Sequence, residues 1–142
     1  PEVLSSMDSY PDNIYITLPA PTKETYEHIC NPQIRNGWEK LNESLELFPK
    51  IKTKRRILRL TLVKDFNMAD VDNYAKLIEK SNPDFIEAKA YMFVGYSRKR
   101  LEIENMPTFE DILEFCKDLE EKSGYKSVDS ASDSRVVLLS RN

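Results

Sequence analysis

The stretch Asp84-Phe85-Ile86-Glu87-Ala88-Lys89-Ala90-Tyr91-Met92-Phe93-Val94-Gly95-Tyr96-Ser97-Arg98-Lys99-Arg100 decides the fold. Its first half alternates with a period of two, the signature of a strand. Ile86, Ala88, Ala90, Met92 and Val94 fall on one face, and Glu87, Lys89 and Tyr91 on the other. Charges on a face that is otherwise built to be covered are costly to desolvate, so they need ion-pair partners or a ligand. The strand ends at Gly95 and runs into a basic loop. Polar side chains along a parallel strand, with a loop at its carboxyl end, make up the site end of an α/β barrel.

Two earlier segments repeat the pattern. Ile14–Ala20 sets Ile14, Ile16 and Leu18 against Tyr15 and Thr17, and Ile57–Lys64 sets Leu58, Leu60 and Leu62 against Arg59 and Thr61. Helical spacing fills the intervals. Thr22 caps a helix reaching Cys30, and a second runs from Gly37 to Phe48 with Trp38, Leu41, Leu45 and Phe48 on one stripe. Asn67 is expected to cap a helix carrying Val71, Tyr74, Ala75 and Ile78, which Asn82-Pro83 ends. Pro107-Thr108 opens a last helix with Ile112, Phe115, Cys116 and Leu119 inward and Gly124 as its C-cap. Tyr125–Val128 and Arg135–Ser140 suggest a hairpin of two short strands. Residues 1–13 show no periodicity and read as a connector into one unit at 14–142.

This order implies an α/β fold of parallel strands joined by right-handed crossovers. A plain doubly wound sheet is apolar on both faces. One polar face repeated on three strands points instead to a concave sheet around a lumen that holds a polar ligand. The alternative is a set of internal ion pairs, Glu87 with Arg59 or Lys89, that fixes the fold and binds nothing.

A chain of 142 residues that is 40% hydrophobic supports one core. With a net charge of −3, no membrane-length apolar run and no signal segment, it is expected in the cytoplasm, away from membranes. Pro1 is not a translation start, so a fragment or a processed chain is expected. The three glycines stand alone, which excludes phosphate loops and dinucleotide fingerprints. Cys30 and Cys116 lack metal-ligand spacing and are expected to be reduced, and His28 has no catalytic companion, so no metal site is expected.

Charge is unevenly placed. Residues 50–64 carry seven basic side chains and residues 88–101 four more, with no acid in either segment, out of 21 Lys and Arg in all. Lys50–Arg56 precedes its strand and reads as a solvated basic turn. Lys64 and Tyr96-Ser97-Arg98-Lys99-Arg100 follow their strands, where an aromatic beside cations suits RNA stacking and phosphate contact. Lys89 suits a Schiff-base amine if burial lowers its pKa, or an ion pair. The residues alone thus leave open an RNA-binding module and a carbonyl-processing barrel fragment.

Several motifs in order resemble the tRNA 4-demethylwyosine synthases, radical S-adenosylmethionine enzymes of wybutosine biosynthesis. They are Tyr15-Ile16, Tyr26 through Cys30, Trp38-Glu39, Arg59-Leu60-Thr61-Leu62-Val63-Lys64 with Asn67, and Pro83-Asp84-Phe85-Ile86-Glu87. Lys89, Tyr91-Met92, Gly95-Tyr96-Ser97, Arg100-Leu101 and Asp133-Ser134-Arg135-Val136-Val137-Leu138-Leu139 complete the set. The archaeal form, without a flavodoxin domain, is the most similar. The resemblance implies the carboxyl-terminal half of a partial (β/α)6 TIM-like barrel. The complete enzyme uses S-adenosyl-L-methionine and [4Fe–4S] clusters to condense pyruvate carbons with N1-methylguanosine-37 of tRNA-Phe. The cluster motif, Cys-x3-Cys-x2-Cys, belongs to the missing amino-terminal half, so this chain alone should bind no cluster and be inactive. Thr17, Arg59 and Thr61 would then form a wall of the S-adenosyl-L-methionine pocket. Lys64, Glu87, Lys89, Tyr91, Tyr96, Ser97, Arg98 and Arg100 would face pyruvate or tRNA. Half a barrel should also leave the Ile14–Ala20 strand with an unpaired edge.

Overall fold

Leu58, Leu60 and Leu62, all fully buried, lie along the second of three parallel strands and set the centre of the core. The computed structural model describes residues 1–30, 35–92 and 103–141. Strands β1 (Asn13–Leu18), β2 (Arg55–Leu62) and β3 (Phe85–Ala90) pair in parallel, and β5 (Val136–Ser140) adds antiparallel to β3. Strand β4 (Lys126–Ala131) pairs only with β5, giving the order β1-β2-β3-β5-β4. Thus β1 stands at one margin of the sheet, as expected for half a barrel. At the other margin every residue of β4 is exposed, and its register with β5 slips between Ser127 and Asp129.

Five α-helices accompany the strands among the described residues: α1 (Glu2–Ser6), α2 (Lys23–Cys30), α3 (Gly37–Leu47), α4 (Val71–Ser81) and α5 (Phe109–Ser123). In α5, Ile112, Phe115, Cys116 and Leu119 recur at helical spacing, and all four are buried. Tyr74, Leu77 and Ile78 of α4 meet them in the same core, and the rings of Tyr74 and Phe115 pack edge to face at 5.5 Å. The sheet contributes Leu18, Leu58, Leu60, Leu62, Ile86, Ala88, Ala90, Val137 and Leu139, which form the aliphatic face. Each fully buried leucine side chain there contributes about 2 kcal/mol.

Helix ends follow the sequence signals at both ends of α5 and at the start of α2. Thr108 and Asp111 form a reciprocal capping box at the start of α5, and Gly124 ends it at φ 81°. Thr22 Oγ1 accepts from the Thr25 N–H at the start of α2. The expectation for Asn67 is corrected. The N-cap of α4 is Asp70, in the left-handed region at φ 56°, and Asn67 is instead buried in the preceding loop. Residues 1–13 are less of a connector than expected. They contain α1, and Leu4 and Tyr10 pack on a small cluster of Ile14, Phe48 and Ile51, with Tyr10 Oη donating to the Leu4 carbonyl. The third strand stops at Ala90, short of the expected Val94, and Phe93 and Val94 lie outside the described residues.

Candidate functional site

Strand register brings the polar side chains together. Thr17 of β1 is level with Arg59 of β2, and Arg59 is level with Glu87 of β3. One step toward the carboxyl ends, Thr61 is level with Lys89. Because side chains alternate, both rows project from the face opposite the aliphatic core. Thr17 is exposed, and Arg59, Thr61, Glu87 and Lys89 are each half-buried. Glu87 meets Arg59 side-on, with Nε to Oε1 at 3.3 Å and Nη2 to Oε2 at 3.4 Å. The guanidinium carbon also lies 4.7 Å from the centre of the Tyr15 ring. The ion pair foreseen between Glu87 and Arg59 therefore forms. Lys89 takes no part in it and has no ion-pair partner among the described residues.

Two polar atoms here are left over. Arg59 Nε and Tyr91 Oη are buried and have no hydrogen-bond partner, since the Nε contact with Glu87 is poorly aligned. Tyr91 follows β3, where its N–H donates to the Leu62 carbonyl at 2.8 Å. A buried hydroxyl without a partner costs about 1–3 kcal/mol. Tyr91→Phe is therefore expected to leave thermal stability unchanged or to raise it by up to about 1 kcal/mol, read by urea unfolding. A loss larger than that would show that the hydroxyl is satisfied in solution.

Lys64 goes elsewhere. Its ammonium lies 3.6 Å from Asp111 Oδ2, in a cleft of about 400 Å³ between the loop after β2 and α5. That cleft is lined by Asp65, Asp111, Glu114 and Asp118 as well as by Phe66 and Met68. The Thr108 N–H chiefly, with Lys64 adding to it, holds the Asp111 carboxyl below its ordinary range. Tyr96, Ser97, Arg98 and Arg100 lie outside the described residues. The basic turn at 50–56 sits at the amino end of the sheet. There Lys54 pairs with Asp12, and Arg56 with Asp84.

Asn67 shapes the carboxyl end of the sheet and was missed as such. Its Oδ1 accepts from the Val63 N–H at 2.6 Å, and its Nδ2 donates to the carbonyls of Pro19 and Thr61, both at 2.8 Å. Tyr74 Oη donates to the Asn67 carbonyl at 2.7 Å. One side chain thus ties the ends of β1 and β2, and the Tyr74 bond joins α4 to them. Nothing local in Lys64-Asp65-Phe66-Asn67 signals a bond to Pro19, 48 residues away.

The chain's two thiols do not make a cluster site. Cys116 is buried, and burial first, then Glu120, pushes its thiol up to about 12. Among the described residues no three His, Cys, Asp or Glu groups are placed to hold a metal ion. An iron–sulfur cluster therefore does not fit this chain's own residues. Among the described residues, no helix is long and apolar enough to cross a membrane.

The chain is similar to known proteins along its length. Residues 80–141 match the family described as "Wyosine base formation". The S-adenosyl-L-methionine-dependent tRNA 4-demethylwyosine synthase of Pyrococcus abyssi is 48% identical over 100% of this chain, which spans 42% of that protein. The synthase of the same name from Methanocaldococcus jannaschii is 39% identical over 91% of the chain and 40% of its own length. A solved structure of TYW1 with a lysine–pyruvate adduct bound superposes with a TM-score of 0.80 at 35% identity, over 91% of this chain and 40% of the other. A crystal structure of archaeal TYW1 gives a TM-score of 0.71 at 29% identity, over 91% of this chain and 39% of the other. The chain spans about two fifths of the length of these archaeal relatives. In sequence along the whole chain and in the α/β sheet it forms, the chain is similar to part of the tRNA 4-demethylwyosine synthases.

Proposed function

We propose that this chain is the carboxyl-terminal part of a cytoplasmic radical S-adenosyl-L-methionine enzyme that builds 4-demethylwyosine on tRNA-Phe, using pyruvate and N1-methylguanosine-37. Residues 14–142 then form an incomplete domain, and the [4Fe–4S] clusters reside on the amino-terminal half. Thr17, Arg59 and Thr61 supply a wall of the S-adenosyl-L-methionine pocket. Lys64, Glu87, Lys89, Tyr91 and the segment bearing Tyr96, Ser97, Arg98 and Arg100 face the substrates. When bound, the cofactor and cluster supply the radical; this chain's side chains bind, orient and shield.

One observation carries the reading. The Thr17–Arg59–Glu87 and Thr61–Lys89 rows share the face opposite the buried aliphatic core, on a sheet whose β1 has no further strand beside it among the described residues. Such a face gains its second wall when further strands extend the sheet beyond β1 and curl it. The names of the relatives supply the chemistry.

The test is reconstitution. The chain is mixed with the cluster-bearing amino half of the Pyrococcus abyssi relative under anaerobic conditions, with S-adenosyl-L-methionine, pyruvate and N1-methylguanosine-37 tRNA. The expected result is 4-demethylwyosine, detected by nucleoside mass spectrometry, from the mixture and from neither half alone. Two folded halves that yield no product together would overturn the reading.

A further inference from the structure

The polar face carries a surplus charge. On the two rows Arg59 and Lys89 are cationic and Glu87 is the one carboxylate, already turned toward Arg59; Arg55, on the same face at the amino end of β2, turns to Asn13. Half-buried cations without counter-charges are destabilising unless something anionic joins them. Arg59 is also held in place. Glu87 lies along its Nε–Nη2 edge, bonded through Nη2, and the Tyr15 ring lies against its plane, which leaves donor capacity on Nη1 and on the unpartnered Nε. Thr61 projects from the same face two residues further along β2, and Lys89 is its direct neighbour in register. Direct cross-strand neighbours lie about 5 Å apart and diagonal ones about 7 Å, within reach of long side chains.

We propose that Arg59, Thr61 and Lys89 form a seat for the carboxylate of a small molecule, with Glu87 and Tyr15 as positioning residues that hold the guanidinium. The proposal rests on the reading that the polar sheet face lines a ligand site. The two rows together carry one surplus positive charge, which matches a monoanionic group. The planar fork of a guanidinium favours a carboxylate, and the Thr61 hydroxyl adds a neutral donor beside it. A carboxylate of this kind comes from a 2-oxo acid or from the amino-acid tail of S-adenosyl-L-methionine. Lys64 makes no such seat, since Asp111 already faces it.

The experiment follows the Arg59 Nε–H resonance of the full ¹⁵N-labelled chain during separate titrations with pyruvate, S-adenosyl-L-methionine and dimethyl phosphate. A saturable shift with one of the two carboxylates is expected, and whichever produces it names the source. Lys89→Met, which removes an amine with no described partner, is expected to keep the fold and weaken that binding about tenfold, the loss of one charge-assisted bond. Arg59→Gln should abolish it. Three results would overturn the seat: no shift with either carboxylate up to about 50 mM, too weak for a useful site; equal binding of dimethyl phosphate; or trapping of pyruvate on Lys89 by borohydride, which would spend the amine covalently. Failure of the seat and failure of the broader reading are separable. Product from the reconstituted halves without a carboxylate response sinks the seat alone. A carboxylate response without product sinks the broader reading alone.

Discussion

Asn67→Ala is expected to lower the stability of the chain by about 3 kcal/mol, enough to drop the melting temperature by about 10 °C. The side chain is 1% exposed, and its removal strands the Val63 N–H and the carbonyls of Pro19 and Thr61. Each stranded buried group costs about 1–3 kcal/mol, less where water enters the space the amide leaves. Against a typical total of about 5–15 kcal/mol, this is a large share. Asn67→Asp tests the mechanism further. It keeps the acceptor for Val63 but sets an anionic oxygen against two carbonyls. It should be at least as damaging at neutral pH, with partial relief in acid as the carboxyl gains a proton to donate. Urea denaturation followed by circular dichroism measures both. A loss below about 1 kcal/mol for Asn67→Ala, the worth of one ordinary hydrogen bond, would show that the amide does not staple these strand ends.

Asp84→Asn acts at the opposite end of the sheet and carries a pH signature. Asp84 Oδ2 accepts from the Arg56 N–H at 2.9 Å, and Oδ1 lies 3.3 Å from Arg56 Nη2 and 3.0 Å from Arg141 Nη2. Desolvation alone would raise its pKa, but the Arg56 hydrogen bonds and the charges of Arg56 and Arg141 together outweigh it and hold the carboxyl below its ordinary 3.8. A lowered folded value means that the unfolded chain binds the proton first as pH falls. The stabilisation is therefore complete above the unfolded value and is lost as pH drops through the folded one. Asp84→Asn should cost about 2 kcal/mol at neutral pH, and the difference from the parent chain should shrink as pH falls below the ordinary carboxyl value and through the lowered folded one. Stability curves of the two chains from pH 7 to pH 2 decide it. A gap that stays constant with pH would rule out the ion pairs as its source.

Much of the sheet was legible because its signals are local. Alternation in Ile14–Leu18, Leu58–Leu62 and Ile86–Ala90 reports directly which side chains are covered, and the rows Thr17–Arg59–Glu87 and Thr61–Lys89 follow once the strands are in register. The opening of the last helix at Thr108 and the C-cap Gly124 were legible for the same reason, since their partners lie within one turn. Asn67 was misread because an asparagine ahead of an amphipathic run looks like a cap; its real partners include a carbonyl on another strand. The side-on grip of Glu87 on Arg59, and the absence of Lys89 from it, could not be told apart from the opposite pairing by spacing alone, as both cations are near neighbours of the acid. Lys64 was grouped with the site on charge, and its contact with the capping-box Asp111, past the end of β2, could not be read from spacing.

The two rims of the sheet differ in how they treat a newcomer. The β4 rim is guarded, with Lys126 and Asp129 on an exposed strand and a slipped register beside Val128, all of which discourage an incoming strand. The β1 rim, carrying Asn13, Tyr15 and Thr17 on its exposed positions, shows no such irregularity. A ribbon that accepts growth at one border only cannot polymerise through it. Two copies meeting there would satisfy each other and stop, so self-association by this route ends in a pair rather than a fibre.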